Sequence, residues 1–135
     1  MKYKILMIDD DKDYIEAIRF ILESKGYEFV PAYNTKEGFA KLKEKPDLII
    51  LDVMMEKQAG GFIFARELRR NPEYLEVSKT PILMLTGMRE KTGFFFPGEI
   101  KHDYFLPVDE FVEKPVKAEQ LVDTINKLLK QKAES

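Results

Sequence analysis

The sequence predicts an α/β fold: a parallel β-sheet with helices on both of its faces. Short apolar runs alternate along the chain with stretches in which apolar residues recur every three or four positions. This alternation is typical of parallel strands joined by right-handed helical crossovers. The chain has 135 residues, which fits one domain. We expect that domain to span residues 1–132, followed by a short tail at 133–135.

The first two strands flank an amphipathic helix. Residues 4–8 (KILMI) predict a buried strand, and the apolar spacing after Asp11 predicts a helix that ends near Gly26. Residues 27–33 (YEFVPAY) predict a second strand. Pro31 cannot donate a hydrogen bond to a neighbouring strand, so this strand belongs at an edge of the sheet.

A second helix and the most apolar strand follow. Thr35 is expected to cap a helix that runs through Lys45, just before Pro46. Residues 47–51 (DLIIL) predict a strand at the centre of the sheet, buried on both faces.

The second half predicts two more strands and two more helices. Residues 81–86 and 109–115 are the fourth and fifth strands, and residues 61–71 and 117–132 are amphipathic helices. The stretch between these two strands, residues 87–108, contains three Gly and two Pro. The fourth helix is therefore expected to be short or irregular.

The composition excludes several classes of function. A net charge of −2 gives no electrostatic footprint for nucleic acid or for an anionic membrane. The absence of cysteine excludes disulfides and thiolate sites, and a single histidine, His102, cannot form a multi-histidine metal site. No signal-peptide pattern or membrane-length apolar run is present. We therefore expect a cytoplasmic protein that binds neither membrane nor nucleic acid directly.

Reactive side chains follow four of the five predicted strands. In open α/β sheets, ligands bind beyond the carboxyl ends of the strands. The residues at those ends are Asp9, Asp10 and Asp11 after the first strand, Asp52 after the third, Thr86 at the end of the fourth and Lys114 at the end of the fifth. We expect these acids, the hydroxyl and the lysine to converge on one edge of the sheet.

Crowded carboxylates of this kind favour a bound cation. Mg²⁺ prefers oxygen ligands, and Asp9, Asp10 and Asp52 could supply three, with a backbone carbonyl just beyond Asp52. A carboxylate beside Mg²⁺ can attack phosphorus and form an acyl phosphate. Lys114 and Thr86 could donate to the incoming phosphoryl oxygens.

Each of these residues also has an ordinary structural interpretation. An acid after a strand is often a helix N-cap, and this is the favoured role of Asp11, since a helix starts there. Thr86 alone would more often be a turn residue, and Lys114 alone an ordinary surface lysine. The placement of all of them at strand ends is what favours a functional site.

At these residues the sequence resembles the receiver domain of two-component response regulators, in the form found in chemotaxis regulators. The matching segments are KILMIDDD, DLIILDVMM, PILMLTG and EFVEKPV, in the family's order. The resemblance covers nearly the whole chain and is weakest over residues 87–108. It implies a flavodoxin-like three-layer sandwich with five parallel strands in the order 2-1-3-4-5.

The resemblance also implies the chemistry of the site. Asp52 would accept a phosphoryl group from a histidine kinase or a phosphotransfer protein. Mg²⁺ would be held by Asp9, Asp10, Asp52 and the backbone carbonyl of Met54. The domain would catalyse its own phosphotransfer and autodephosphorylation without acting on an external substrate.

A switch is implied by the same resemblance. Thr86 and Lys114 would move to bind the phosphoryl group, and Phe111 would turn inward into the gap left by Thr86. A downstream effector protein would then bind the face formed by residues 87–112. The bond between Lys114 and Pro115 is expected to be cis.

The sequence departs from the family pattern in two places. Glu56 follows Met55 where the family usually has Pro, and the loop to Gly61 looks one residue longer than usual. The interval from Thr86 to Lys114 is also several residues longer. Within it, the aromatic triplet Phe94–Phe96 either covers the sheet, which we favour, or forms a patch for a partner.

Two other functions fit part of the pattern. A pseudo-receiver would share the fold but bind its partner without phosphorylation, and Glu56 keeps that alternative open. A haloacid-dehalogenase-like phosphatase also uses a strand-end Asp, a Thr and a Lys. That class needs a further acidic pair after a late strand, whereas Asp109 and Glu110 open the fifth strand.

Overall fold

A computed structural model describes residues 2–52, 60–86 and 108–134, together with the side chains of most of them. Its five strands are β1 (Lys4–Ile8), β2 (Glu28–Ala32), β3 (Leu48–Asp52), β4 (Ile82–Thr86) and β5 (Glu110–Glu113). Its α-helices are α1 (Lys12–Ser24), α2 (Thr35–Lys41), α3 (Gly60–Arg70) and a C-terminal helix (Ala118–Glu134). Two 3-10 segments, Leu42–Glu44 and Pro72–Val77, follow α2 and α3.

The sheet has the predicted architecture. All neighbouring strands pair in parallel, in the order β2-β1-β3-β4-β5. β2, which carries Pro31, lies at an edge as expected. β3 lies at the centre, and all five of its residues are buried. The prediction of a flavodoxin-like three-layer sandwich is confirmed.

Two apolar layers hold the helices onto the sheet. On one side, called the α1 face, strand residues such as Met7, Ile50 and Leu85 pack with residues of α1 and the C-terminal helix. On the other, the α3 face, strand residues such as Ile8 and Met84 pack with residues of α3. Each fully buried aliphatic side chain contributes roughly 1.5–3 kcal/mol to folding.

One glycine allows α2 to approach the sheet closely. A Cβ atom on the buried Gly38 would lie 2.6 Å from Cδ1 of Ile8 and 3.0 Å from Cε2 of Phe64. No side chain fits there without displacing those atoms. Gly38 therefore sets the distance between α2 and β1.

The start and end of α2 correct the prediction. Asn34, not Thr35, is the N-cap, because Asn34 has an extended backbone and its Oδ1 accepts a hydrogen bond from the Glu37 N–H at 2.8 Å. Thr35 is already the first helical residue. The α-helix ends at Lys41, and the 3-10 turn after it ends at Lys45, which has a positive φ of 54°.

An arginine at the end of α3 binds the opposite edge of the sheet from the predicted site. The Arg69 guanidinium donates to the carbonyls of Ser78 and Thr80 at 2.8 and 2.6 Å, and to Asp109 Oδ2 at 2.9 Å. The same Asp109 oxygen accepts from the Ile82 N–H at 2.8 Å. These bonds link α3 to the starts of β4 and β5.

The C-terminal helix runs to Glu134, two residues beyond its predicted end, and the domain boundary at residue 132 stays a prediction. Across residues 2–52, 60–86 and 108–134, no helix is both long enough and apolar enough to cross a membrane.

Candidate functional site

The parallel sheet brings three predicted acids together. Asp9 directly follows β1 and is fully buried, and Asp52 is the last residue of β3 and is 6% exposed. Asp10 beside them is exposed to solvent. One carboxylate oxygen from each of Asp9, Asp10 and Asp52 lies within 4.8 Å of the other two. This spacing gives the acidic cluster room for one shared cation.

Lys114 lies against the cluster from the end of β5. Its Nζ donates to Asp9 Oδ2 at 3.1 Å and lies 3.6 Å from Asp52 Oδ1. Its backbone N–H donates to the carbonyl of Thr86 at 2.7 Å, which joins the ends of β4 and β5. The bond from Lys114 to Pro115 is cis, as the resemblance implied.

Burial and nearby charges shift the pKa values of Asp9 and Lys114 in opposite directions. Burial raises the pKa of Asp9, while the Asp11 N–H, at 2.9 Å from Oδ1, and the Lys114 ammonium both oppose that rise. Burial disfavours the Lys114 ammonium, but the carboxylates of Asp52 and Asp9 outweigh it and raise the pKa of Lys114. Three carboxylates thus face one ammonium group, and their excess negative charge favours a further cation.

Asp11 does not join the cluster. Its Oδ1 accepts a hydrogen bond from the Tyr14 N–H at 3.1 Å, which makes it the N-cap of α1. The expectation of a capping role for Asp11 is therefore confirmed.

Thr86 and Phe111 lie on the other face of the sheet. Phe111 pairs with Met84 in the β4–β5 register and packs, half-buried, against the α3 face. Thr86 lies two residues after Met84, so strand alternation directs it to the same face. The same alternation places Asp9, Asp52 and Lys114 on the α1 face. The side chains of the acids and the lysine thus project to one face of the sheet, and those of Thr86 and Phe111 to the other.

Several sequence expectations fall outside the described residues. These are the Met54 carbonyl, Glu56, the fourth helix, the triplet Phe94–Phe96 and all of the predicted partner face except residues 108–112. Asp109, the acid that a phosphatase would need beside the site, instead lies before β5 and binds Arg69 and Ile82 at the far edge. Asp109 therefore cannot belong to the second acidic pair that a phosphatase of this class would need at the site.

Sequence reasoning missed one residue at the site. The Lys114 Nζ lies 4.6 Å from the centre of the Tyr14 ring, within the range of a cation–π contact. The apolar spacing of α1 marked Tyr14 only as a core position. The available signal was its place in the first turn after the acids, which points its ring back toward the strand ends.

The comparison with known families agrees with this fold. Residues 5–126 match the family model described as the response regulator receiver domain. The chain therefore belongs to the receiver domain family of two-component response regulators.

The curated relatives are longer proteins. The chain is 30% identical over 128 residues to the transcriptional regulatory protein CpxR of Klebsiella pneumoniae, covering 95% of this chain and 50% of that protein. It is 32% identical over 130 residues to the CpxR homolog of Haemophilus influenzae, covering 96% and 52%. The chain thus spans about half the length of these relatives.

Two solved structures match over nearly the full length of their chains. The chemotaxis response regulator CheY4 of Vibrio cholerae has a TM-score of 0.77 and 28% identity, covering 95% of this chain and 99% of that one. A response regulator receiver domain protein from Clostridium thermocellum has a TM-score of 0.77 and 27% identity, with 97% of both chains covered.

Proposed function

We propose that this receiver domain is a phosphorylation-dependent signalling switch in which Asp52 accepts the phosphoryl group. The position of the Asp52 carboxylate carries the proposal. It lies nearly buried at the end of the central strand, with oxygens of Asp9 and Asp10 within 4.8 Å and the Lys114 ammonium at 3.6 Å. The nucleophilic carboxylate of Asp52 thus lies close both to further metal ligands and to a cation that can bind the phosphoryl oxygens.

The acidic cluster fits Mg²⁺. Its donors are carboxylate oxygens, which Mg²⁺ prefers, and the exposure of Asp10 leaves room for the waters that this ion usually keeps. Asp9, Asp10 and Asp52 would hold the ion, with the Met54 carbonyl as a proposed further ligand. Bound there, Mg²⁺ neutralises the charge of the carboxylates and of the phosphoryl oxygens.

The phosphotransfer step uses Asp52 as the nucleophile. A carboxylate oxygen of Asp52 attacks phosphorus in line, and a P–O bond forms as the P–N bond of the donor phosphohistidine breaks and the imidazole departs. Lys114 shifts part of its hydrogen bonding from the carboxylates to the phosphoryl oxygens. Attack by water on the phosphorus of the acyl phosphate later breaks the P–O bond to Asp52, releases inorganic phosphate and restores the carboxylate, which resets the domain.

The conformational response would cross the sheet. The phosphoryl group adds negative charge and acceptor oxygens, and Thr86, at the end of the adjacent strand, would turn to donate to them. Phe111 shares the α3 face with Thr86 and would move into the space released. This movement would bias the face formed by residues 87–112 between two states, and an effector protein would select one.

The partners follow from the same mechanism. A histidine kinase or a phosphotransfer protein would be the donor, and the effector would be a protein. The relatives whose names describe transcriptional regulation are about twice as long as this chain. The net charge of −2 gives this chain no electrostatic footprint for nucleic acid, so we propose no direct contact of this chain with DNA. The cytoplasmic location stays a prediction.

A pseudo-receiver is the second candidate. Glu56 stands two residues after Met54, where the family usually has Pro. An added acid four residues after Asp52 in the sequence could repel an incoming phosphoryl group. In this alternative the fold binds a partner constitutively, without covalent modification.

Intact-mass spectrometry with acetyl phosphate and Mg²⁺ separates the two candidates. We expect a single labile phosphate adduct, absent without metal and absent in Asp52→Asn. Asp13→Asn is the matched control, because Asp13 is an exposed acid in the first turn of α1 outside the cluster, and it should label like the wild type. No adduct in the wild type, even with a phosphotransfer protein and short sampling times, would favour the pseudo-receiver.

A further inference from the structure

The Tyr14 ring forms one wall of the space that holds the Lys114 ammonium. Tyr14 lies in the first turn of α1, and its ring packs partly buried against the α1 face. The Lys114 Nζ lies over that ring at 4.6 Å and bonds Asp9 Oδ2 at 3.1 Å on another side. The Lys114 side chain is 23% exposed, so these contacts are only partly open to solvent.

A closed circuit of contacts fixes the ring itself. Asp9 Oδ1 accepts from the Asp11 N–H at 2.9 Å, and Asp11 Oδ1 accepts from the Tyr14 N–H at 3.1 Å. The Tyr14 ring then contacts Lys114, and the Lys114 Nζ donates a hydrogen bond to Oδ2, the second carboxylate oxygen of Asp9. Because both oxygens of one buried carboxylate anchor this circuit, the position of the ring and that of the ammonium depend on each other.

The tyrosine contributes its neutral ring face. Burial raises the pKa of Tyr14, although the nearby Lys114 ammonium opposes the rise, so the phenol keeps its proton at neutral pH. A neutral aromatic face attracts a cation without neutralising its charge. The ammonium therefore keeps its full positive charge for an incoming anion.

We propose that Tyr14 is a positioning residue that holds the Lys114 ammonium between Asp9 and Asp52, ready for the phosphoryl oxygens. This inference rests on the proposed function for its kinetic consequence but not for its geometry. A merely structural Tyr14 would serve as an apolar core residue, and a leucine would replace it. A positioning Tyr14 needs an aromatic ring, and phenylalanine would replace it.

The geometry is tested without phosphorylation. The face of an aromatic ring shifts the NMR signals of nearby protons upfield, so the Lys114 Hε protons should be shifted in the wild type and in Tyr14→Phe. In Tyr14→Leu they should move to the position of an exposed lysine. Tyr33→Leu is the matched control, because it removes a similar contact, with Lys12 Nζ 5.6 Å from the Tyr33 ring, and should leave Lys114 unchanged.

The kinetic consequence is tested by the rate of labelling with acetyl phosphate at subsaturating donor and fixed Mg²⁺. We expect Tyr14→Leu to be about tenfold slower, while Tyr14→Phe and Tyr33→Leu stay within about twofold of the wild type. Thermal unfolding of each variant establishes that it is folded. An unchanged Lys114 signal in folded Tyr14→Leu, or an unchanged labelling rate, would overturn the inference. If the wild type takes no label, the proposed function fails, and the Lys114 signal alone decides the positioning role.

Discussion

Lys114 donates to Asp9, a fully buried acid, at 3.1 Å. The same Lys114 Nζ lies 3.6 Å from Asp52 Oδ1, so one ammonium group serves two carboxylates. In Lys114→Met both carboxylates lose this partner. We expect the free energy of unfolding of the metal-free protein at pH 7 to fall by about 2 kcal/mol, less than for a fully buried pair, because Lys114 is partly exposed.

Urea unfolding with and without Mg²⁺ checks this first prediction. The ion should stabilise Lys114→Met more than the wild type, because ammonium and metal neutralise the same acids. Lys117→Met, three residues along and exposed, is the matched control and should change stability by less than about 0.5 kcal/mol. A metal-free Lys114→Met as stable as the wild type would show that the ion pair contributes nothing.

The burial of Asp9 predicts an unusual pH dependence. Its pKa in the folded state is raised above its ordinary value of 3.8, so between those two pKa values the folded protein holds a proton that the unfolded chain has released. The contribution of Asp9 to stability therefore falls as the pH rises through the folded-state pKa. Carbon-13 titration of the Asp9 carboxyl in metal-free protein measures the shift, and Asp9→Asn should remove this part of the pH slope. A carboxyl that titrates below 3.8 would contradict the prediction.

The capping role of Asp11 is separable from metal binding. Asp11→Ala should lower the free energy of unfolding by about 1 kcal/mol, while Asp11→Asn, which keeps an acceptor oxygen, should lose little. Asn34→Ala at the start of α2 provides the comparison, since Asn34 makes the same kind of cap. Mg²⁺ affinity of Asp11→Ala, measured by calorimetry, should stay within about twofold of the wild type, because the carboxylate lies outside the cluster. A tenfold loss would make Asp11 part of the metal site.

The close approach of α2 to β1 predicts a steric penalty and its relief. In Gly38→Ala the added methyl group would meet Cδ1 of Ile8 at 2.6 Å, and overpacking of this kind costs about 1–3 kcal/mol. Ile8→Val removes that Cδ1 atom. The double variant should therefore be more stable than the sum of the two single effects predicts, as chemical denaturation of all four proteins will show. Strict additivity would mean that the remaining contacts, with Phe64 at 3.0 Å and with Ile8 Cγ1 at 3.1 Å, which valine keeps, limit the site instead.

The strands were predictable because their signals are local. The run that became β3 is apolar at every position before Asp52, a pattern typical of a strand buried on both faces. The acids and the lysine follow their strands directly, so a parallel sheet brings Asp9, Asp52 and Lys114 together without further information. The N-cap of α2 was placed one residue late because Asn34 and Thr35 are both good capping residues.

Contacts between distant parts of the chain were not predictable. Arg69 and Asp109 are 40 residues apart, and nothing in either neighbourhood marks them as partners. Tyr14 and Lys114 present the same difficulty, since a tyrosine at an inward helical position is usually read as core. The alternation of side chains along the strands predicts one further feature that the motifs alone do not indicate. Thr86 lies on a different face of the sheet from the residues that surround Asp52.

The placement of Phe111 and of the residues around Asp52 on different faces of the sheet has a consequence for how complexes assemble. A donor that approaches Asp52 from the side of α1 and an effector that contacts Phe111 would occupy opposite sides of the molecule. Neither would need to displace the other from these side chains. The duration of an output would then depend on the lifetime of the acyl phosphate, not on the order in which the two proteins dissociate.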